Sequence, residues 1–330
     1  MVPLLNRPFL AYQLGLLTRH GISDVVLACS YRVDDVRTAV GAETQGARLR
    51  YVVEEEPLGT GGGVRHAVDE VSGAVWVLNG DILTDADLTA MRRFHQVHRA
   101  RMTMFLIPVD DPRQYGVVET AADGRILRFR EKPTAGEEIT TNTINAGVYL
   151  LDAELLRRIP TGRPLSIERE FFPNLIADGI ACFGWCPTAY WRDIGSPAAY
   201  LAAQMDLLEG RVKTSLSPPG RISGGAWLDE PTGLDPAAII VPPAVVGRGA
   251  RVAARARVGP GAVLGAGCRI GPDAQIVRSV LWEGVEVGPG AMLRDCVVGP
   301  EARIGARAQV SAGAALESGA VVADHARIPP

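Results

Sequence analysis

From Ile240 onward an aliphatic residue returns at every sixth position. The series runs Ile240, Val246, Val252, Val258, Leu264, Ile270 and Ile276; after a five-residue step it resumes at Leu281, Val287 and Leu293. After a second such step it continues through Val298, Ile304, Val310, Leu316, Val322 and Ile328. Four residues after most of these stands a small residue, as at Ala244, Ala250, Ala256, Ala262, Cys268, Ala274 and Ala291. A helical face repeats every 3.6 residues and a strand face every two, so neither keeps a period of six. One short strand plus one tight turn does, and three such units close one coil of a three-sided parallel β-helix. The aliphatic side chain points inward and the small residue fits the corner. The aliphatic positions of the series then give about five coils.

The first half follows another pattern. Pro8 opens a helix whose apolar face holds Leu10, Leu14 and Leu17, and Gly21 closes it. Asp24–Ser30 reads as a buried strand, Val33–Val40 as a helix and Leu49–Val53 as a strand. A helix over Gly61–Val71 leads to a strand ending at Leu78, and Thr84-Asp85 caps the next helix, which runs to about Arg99. This alternation predicts a mainly parallel sheet covered on both faces. Strands follow at Val117–Thr120, Ile126–Arg130 and Ala146–Leu151, with helices near Ala153–Arg158, Ile167–Asp178 and Pro197–Leu208. The chain thus reads as an α/β Rossmann-like domain over 1–210, a Pro/Gly linker over 211–222 and an all-β parallel β-helix over 223–330.

Net charge is −3 with 22% charged residues, which offers no basic surface for nucleic acid or anionic lipid. The apolar runs are too short to span a membrane, and Arg7 and Arg19 interrupt any signal-peptide pattern. Cys29, Cys182, Cys186, Cys268 and Cys296 are scattered and lack zinc-ligand spacing, so all read as small, reduced residues in or near the core of a cytoplasmic protein.

Two aspartates carry the chemistry. Asp81 ends the apolar run 75–78 in VLNGDIL, and Asp193 follows Tyr190-Trp191 in YWRDIGSP. Acids at the exits of buried strands sit where α/β proteins bind ligands. Two carboxylates can hold one Mg²⁺ against phosphate oxygens, whereas either alone also reads as a turn residue.

The strings EEEPLGTGGGVRHA, VLNGDIL, YGVVE, FREKP, INAGVYLLD and WRDIGSP, in this order, resemble the nucleotide-diphosphosugar pyrophosphorylases, that is, sugar-1-phosphate nucleotidyltransferases. Joined to a hexapeptide repeat, they look most like the mannose-1-phosphate guanylyltransferase branch. The resemblance implies a left-handed β-helix and an enzyme that joins an NTP, here GTP, to mannose 1-phosphate and releases pyrophosphate. It implies Asp81 and Asp193 as metal ligands and Lys132 as the cation on the sugar phosphate, these three being the catalytic set. Glu54, Leu58, Gly59 and Thr60, with Asp81, would meet the nucleotide; Gly116, Glu131, Asn145 and Gly147 would line the sugar pocket. On the residues alone, Glu54 also reads as part of an acidic surface run, Lys132 as a turn lysine and Gly116 as a strand kink. Base and sugar stay open: other hexoses or a cyclitol phosphate suit the same strings.

Members of this family begin with a strand and a Gly-Gly-x-Gly-Thr-Arg-x-x-Pro loop, neither of which is in this sequence. The expectation is an impaired enzyme with an incomplete first sheet, explained either by a truncated start or by a noncatalytic regulatory or scaffold relative. An acyltransferase built on the β-helix is a third reading, opposed by a repeat whose one histidine is His325. The flat faces of the coils suggest a homo-oligomer.

Overall fold

The computed structural model describes residues 2–29, 33–54 and 58–329. Ser30, the last residue of the expected second-element strand, and Glu55–Pro57 of the acidic string lie outside them. The chain resolves into two compact units: Leu10–Trp191, and Val2–Phe9 together with Arg192–Pro330. The 211–222 segment lies wholly inside the second unit.

In the first unit the expected helices and strands are present, but the sheet is mixed rather than mainly parallel. Its order is Ile126–Glu131, Gly116–Thr120, Thr143–Asp152, Met102–Pro108 and Cys182–Trp185, and Ala74–Leu78 also pairs with Thr143–Asp152. Only the Cys182–Trp185 and Met102–Pro108 pair is parallel. The cause is connection length: after Arg101 the strands return through hairpin turns such as 121–124, which permit only antiparallel neighbours. A separate sheet pairs Asp24–Cys29 in parallel with Ala47–Val53. Among the described residues, neither Asp24–Cys29 nor Ala74–Leu78 has a strand on its second edge.

The helix start near residue 85 is also corrected. Asp87, not Thr84-Asp85, caps the Leu88–Val97 helix, its Oδ1 accepting from the Ala90 amide at 2.9 Å. Asp85 is used elsewhere, as described below. The core is built around Phe172, whose ring meets those of Phe129, Tyr149 and Phe171 at 5.8, 4.8 and 5.9 Å. Phe172 and Tyr149 are fully buried, and such side chains each contribute roughly 1.5–3 kcal/mol.

The second unit is a three-sided parallel β-helix with faces of seven, six and six strands. It has about six coils rather than five. Leu228 and Leu234 extend the six-residue series backwards from Ile240, in the strands Ala226–Leu228 and Gly233–Leu234. The loop-like stretch Asp229-Glu230-Pro231 hides that first repeat in the sequence. The aliphatic positions Val246, Val258, Leu264, Ile276 and Leu281 are fully buried, as are Ala250, Ala256, Cys268 and Ala274 at the corners. Each five-residue step makes a tighter corner through a left-handed residue, Arg278 (φ 46°) and Asp295 (φ 48°), which bond one another at 2.7 Å. Inside those corners Ser279 and Cys296 replace alanine, and the Ser279 hydroxyl receives the Cys296 amide at 3.3 Å.

One outer face is apolar: Trp227, Val245, Val263, Val280 and Val297 stack in register. Val245 and Val263 are buried although they point outward. The Pro197–Leu208 helix and Val2–Phe9 belong to this unit. Ser196 caps the helix by accepting from Ala199 at 3.2 Å. Trp282 Nε1 donates to Tyr200 Oη at 3.1 Å, Tyr200 donates to Pro3 O at 2.5 Å, and Asn6 Nδ2 donates to Leu264 O at 2.7 Å. All five cysteines are free; Cys182, Cys268 and Cys296 are buried and Cys29 partly so, but Cys186 is exposed, contrary to its expected place in or near the core. Among the described residues no helix is long and apolar enough to cross a membrane.

Candidate active site

Asp81 lies in the turn that joins the Ala74–Leu78 strand to Ile82–Thr84. Buried Gln13 fixes that turn, donating to Asn79 O at 2.8 Å and Ile82 O at 3.1 Å. Asn79 in turn donates its amide to Gly147 O at 2.8 Å. The Asn-Ala-Gly string therefore lies directly against the Asp81 turn.

The string itself is a bulge. Pairing between Thr143–Asp152 and Met102–Pro108 breaks between Asn145 and Tyr149. Asn145 Oδ1 accepts from Gly147 N at 3.0 Å, and its Nδ2 donates to Tyr149 Oη at 2.7 Å. Gly147 has φ +72°, and a Cβ there would stand 3.0 Å from Asn79 Nδ2 and from Ile82 Cγ1. Glycine is required for both reasons.

The hairpin register sets Glu131 opposite Gly116. A Cβ on Gly116 would come within 2.8 Å of Glu131 Oε2, so the missing side chain at 116 makes room for that carboxylate. Lys132 follows in the left-handed region, φ 47°, held by its amide to Tyr115 O at 3.1 Å. A lysine in this conformation is strained, and such strain gathers at functional sites. Burial raises the Glu131 pKa, the Glu168 charge raises it further, and Lys132 and Arg169 oppose the shift. The Tyr149 phenol is pushed up chiefly by burial and then by Glu168, with Glu131 and Asp81 adding to it. The hydrogen bonds link Asn145, Gly147 and Tyr149 to the Asp81 turn through Asn79, and the hairpin register sets Glu131 beside Gly116.

Leu58 and Gly59 open the Gly59–Ala67 helix. Gly59 has φ +70°, and a Cβ there would strike Leu165 O at 2.8 Å. Gly61 N donates to Leu165 O at 2.8 Å and Leu165 N to Leu58 O at 2.9 Å. Thr60 Oγ1 donates to Glu168 Oε2 at 2.8 Å. Glu54 is buried; its Oε2 receives a long 3.4 Å contact from Leu58 N, and its Oε1 has no hydrogen-bond partner among the described residues. A buried carboxylate oxygen without a donor is costly and marks a place where a ligand N–H would be favoured.

The segment before Asp193 is anchored in the first unit. Tyr190 N donates to Asp85 Oδ1 at 2.8 Å, Thr84 Oγ1 donates to Tyr190 O at 2.7 Å, and Trp191 Nε1 donates to Ala146 O at 2.9 Å. Asp193 itself falls in the second unit, where its Oδ1 accepts from Gly195 N at 2.7 Å. Among the described residues no group of three or more His, Cys, Asp or Glu is placed to hold a metal.

Sequence reasoning missed Gln13, Asn79, Asp85, Tyr149 and Glu168. Gln13, Asp85 and Tyr149 stand in segments that read as helix, cap and strand, and Asn79 in one that reads as a turn. Glu168 stood inside a segment read only as helix.

Comparison with known proteins places these residues in context. The nucleotidyl transferase family model matches residues 1–210, and the model described as GMPPB C-terminal domain matches 240–329. A mannose-1-phosphate guanylyltransferase of Mycobacterium tuberculosis is 37% identical over 256 residues, covering 76% of this chain and 70% of that protein. A mannose-1-phosphate guanyltransferase of Aspergillus fumigatus is 34% identical over 97% of this chain and 85% of its own. The crystal structure of HddC from Yersinia pseudotuberculosis, complexed with GMP-PN, matches with a TM-score of 0.53 and 26% identity, over 63% of this chain and 88% of that one.

Proposed function

This chain belongs to the nucleotidyl transferase family, and we propose that it is a mannose-1-phosphate guanylyltransferase, converting GTP and mannose 1-phosphate to GDP-mannose and pyrophosphate. In that reaction a phosphate oxygen of the sugar phosphate attacks the α-phosphorus of GTP. A new P–O bond forms there, the bond to the β-phosphate bridge breaks, and pyrophosphate leaves with its electron pair. The protein's task is in-line positioning and relief of crowded negative charge.

The observation that carries the reading is the Asn145 bulge, which bonds Gly147 and Tyr149 and lies against the Asp81 turn through the Asn79 amide. On this reading Glu131 and Asn145 accept and donate hydrogen bonds to sugar hydroxyls, while Gly116 and Gly147 let backbone approach them. Lys132 neutralises the sugar phosphate. Leu58, Gly59 and Thr60 form the floor for the base. The Glu54 oxygen that lacks a partner among the described residues suits the N–H groups that guanine presents.

The family uses a divalent metal. On chemistry alone Asp81 and Asp193 are the proposed Mg²⁺ ligands: each is a hard oxygen donor, and Mg²⁺ takes one or two carboxylates and completes its shell with water and substrate phosphate. Bound there, it would screen the phosphates that must approach each other. The catalytic role is assigned to 1–210, with 211–222 as connection and the β-helix of 223–330 as the assembly element. The flat faces and exposed end of the coils suit self-association as a homo-oligomer. Five free cysteines suit a reducing cytoplasm.

The test is a panel of five NTPs against mannose, glucose and cyclitol phosphates, with products resolved by mass spectrometry. GDP-mannose should form at least about tenfold faster than any other pair. A different preferred pair would overturn the base or sugar assignment.

A further inference from the structure

We propose that Glu168 is a positioning residue that couples the Leu58–Gly61 loop to the sugar side of the active site. The inference rests on the functional reading above. Glu168 touches neither reacting phosphate in that reading; it acts through its neighbours.

Two hydroxyls converge on one oxygen of Glu168. Thr60 Oγ1 donates to Oε2 at 2.8 Å and Ser166 Oγ at 2.9 Å. Thr60 Oγ1 also accepts from Ile167 N at 3.0 Å, and Ser166 Oγ from Arg169 N at 3.2 Å. With the two backbone bonds between Leu58, Gly61 and Leu165, the loop takes its shape from residues 165–168. Bonds to an ionised acceptor are about twice as strong as neutral ones.

The same segment is tied to the sugar side. Glu168 lies in a one-turn π-helix, Ile167–Phe171, a form frequent at functional sites. The next residue, Phe172, packs against Phe129, two residues before Glu131, and against Tyr149. The Glu168 charge raises both Glu131 and Tyr149. One carboxylate therefore sets the loop on one side and the electrostatics of Glu131 on the other.

Substitutions separate the two actions. Thr60→Ala removes the loop tie and keeps the charge. Glu168→Gln keeps an acceptor for Thr60 and removes the charge. Glu168→Ala removes both, and Thr60→Ser preserves both. GTP affinity with Mg²⁺ is read by calorimetry, and the Glu131 titration by carbon-13 carboxyl NMR. The charged groups acting on Glu131 are Glu168, which raises it, and Lys132 and Arg169, which lower it.

Thr60→Ala should weaken GTP binding about tenfold and leave the Glu131 titration in place. Glu168→Gln should move that titration to lower pH, because the like charge is gone. Adding Thr60→Ala to Glu168→Ala should cost no further affinity, and Thr60→Ser should bind like the wild type. Losses that multiply in the double variant, or a Glu131 titration indifferent to Glu168→Gln, would overturn the proposal. Wild-type protein that binds neither GTP nor mannose 1-phosphate would instead overturn the functional reading on which it rests.

Discussion

Asn145 spans its own bulge to reach Tyr149: the amide nitrogen donates to the Tyr149 hydroxyl at 2.7 Å while the amide oxygen holds Gly147 N at 3.0 Å. One side chain thereby fixes both the backbone kink and the buried phenol.

Gly147→Ala should disturb that geometry first. The substitution places a Cβ at φ +72° and 3.0 Å from two neighbours. It should cost about 1–3 kcal/mol in denaturant unfolding and abolish mannose 1-phosphate binding. Unchanged stability together with wild-type binding would show that the bulge is not the sugar floor.

Asp81→Asn and Asp193→Asn should each lower turnover by at least about a hundredfold while leaving the unfolding midpoint nearly unchanged. Each amide retains a side-chain oxygen but loses the charge that holds the metal. A Mg²⁺ titration of activity reads the effect, and chelation by EDTA should reproduce it in the wild type. A variant with full activity would remove that aspartate from the metal assignment.

The apolar outer face makes a sharper claim about the β-helix. Val263 is fully buried though it points outward, whereas Arg257 is exposed at the equivalent place on another face. Val263→Asp should cost more than about 3 kcal/mol because it buries an unpaired charge. Arg257→Asp should stay within about 0.5 kcal/mol. Equal effects in chemical denaturation would contradict the assignment of faces.

Alkaline stability follows from two buried thiols. Burial pushes Cys268 up to about 12 and Cys296 up to about 11 from an ordinary value of 9.0. Below pH 9 both thiols are protonated, folded or unfolded, and the burial term is fully present. As pH rises from 9 toward 11 or 12, only the unfolded chain loses these protons, so stability falls by roughly 1.4 kcal/mol per pH unit for each thiol. Urea unfolding at pH 8 and pH 11 should show a smaller loss in a Cys268→Ala/Cys296→Ala variant than in the wild type. Parallel losses would place the thiols in solvent.

How far the sequence could be read depends on the range of the interaction. The β-helix was legible because each coil repeats one local rule, from Ile240 to Ile328. Its first coil was not, because Asp229-Glu230-Pro231 looks like any loop. The first unit's elements were legible from periodicity, but strand direction was not: hairpins and crossovers differ in connection, not in apolar pattern. The proposed site residues Glu131 and Asn145 stand in compact strings and were named through the family resemblance those strings carry. Glu168 was not, since its significance lies in reaching Thr60, more than a hundred residues away in the chain.

The most direct test is phosphorus-31 NMR of the purified chain with GTP, mannose 1-phosphate and Mg²⁺, run beside Asp81→Asn. The account predicts growth of GDP-mannose and pyrophosphate signals in the wild type, at whatever rate, and none in the variant. Slow turnover is enough. Signals of the two substrates that stay constant in both samples would contradict the account.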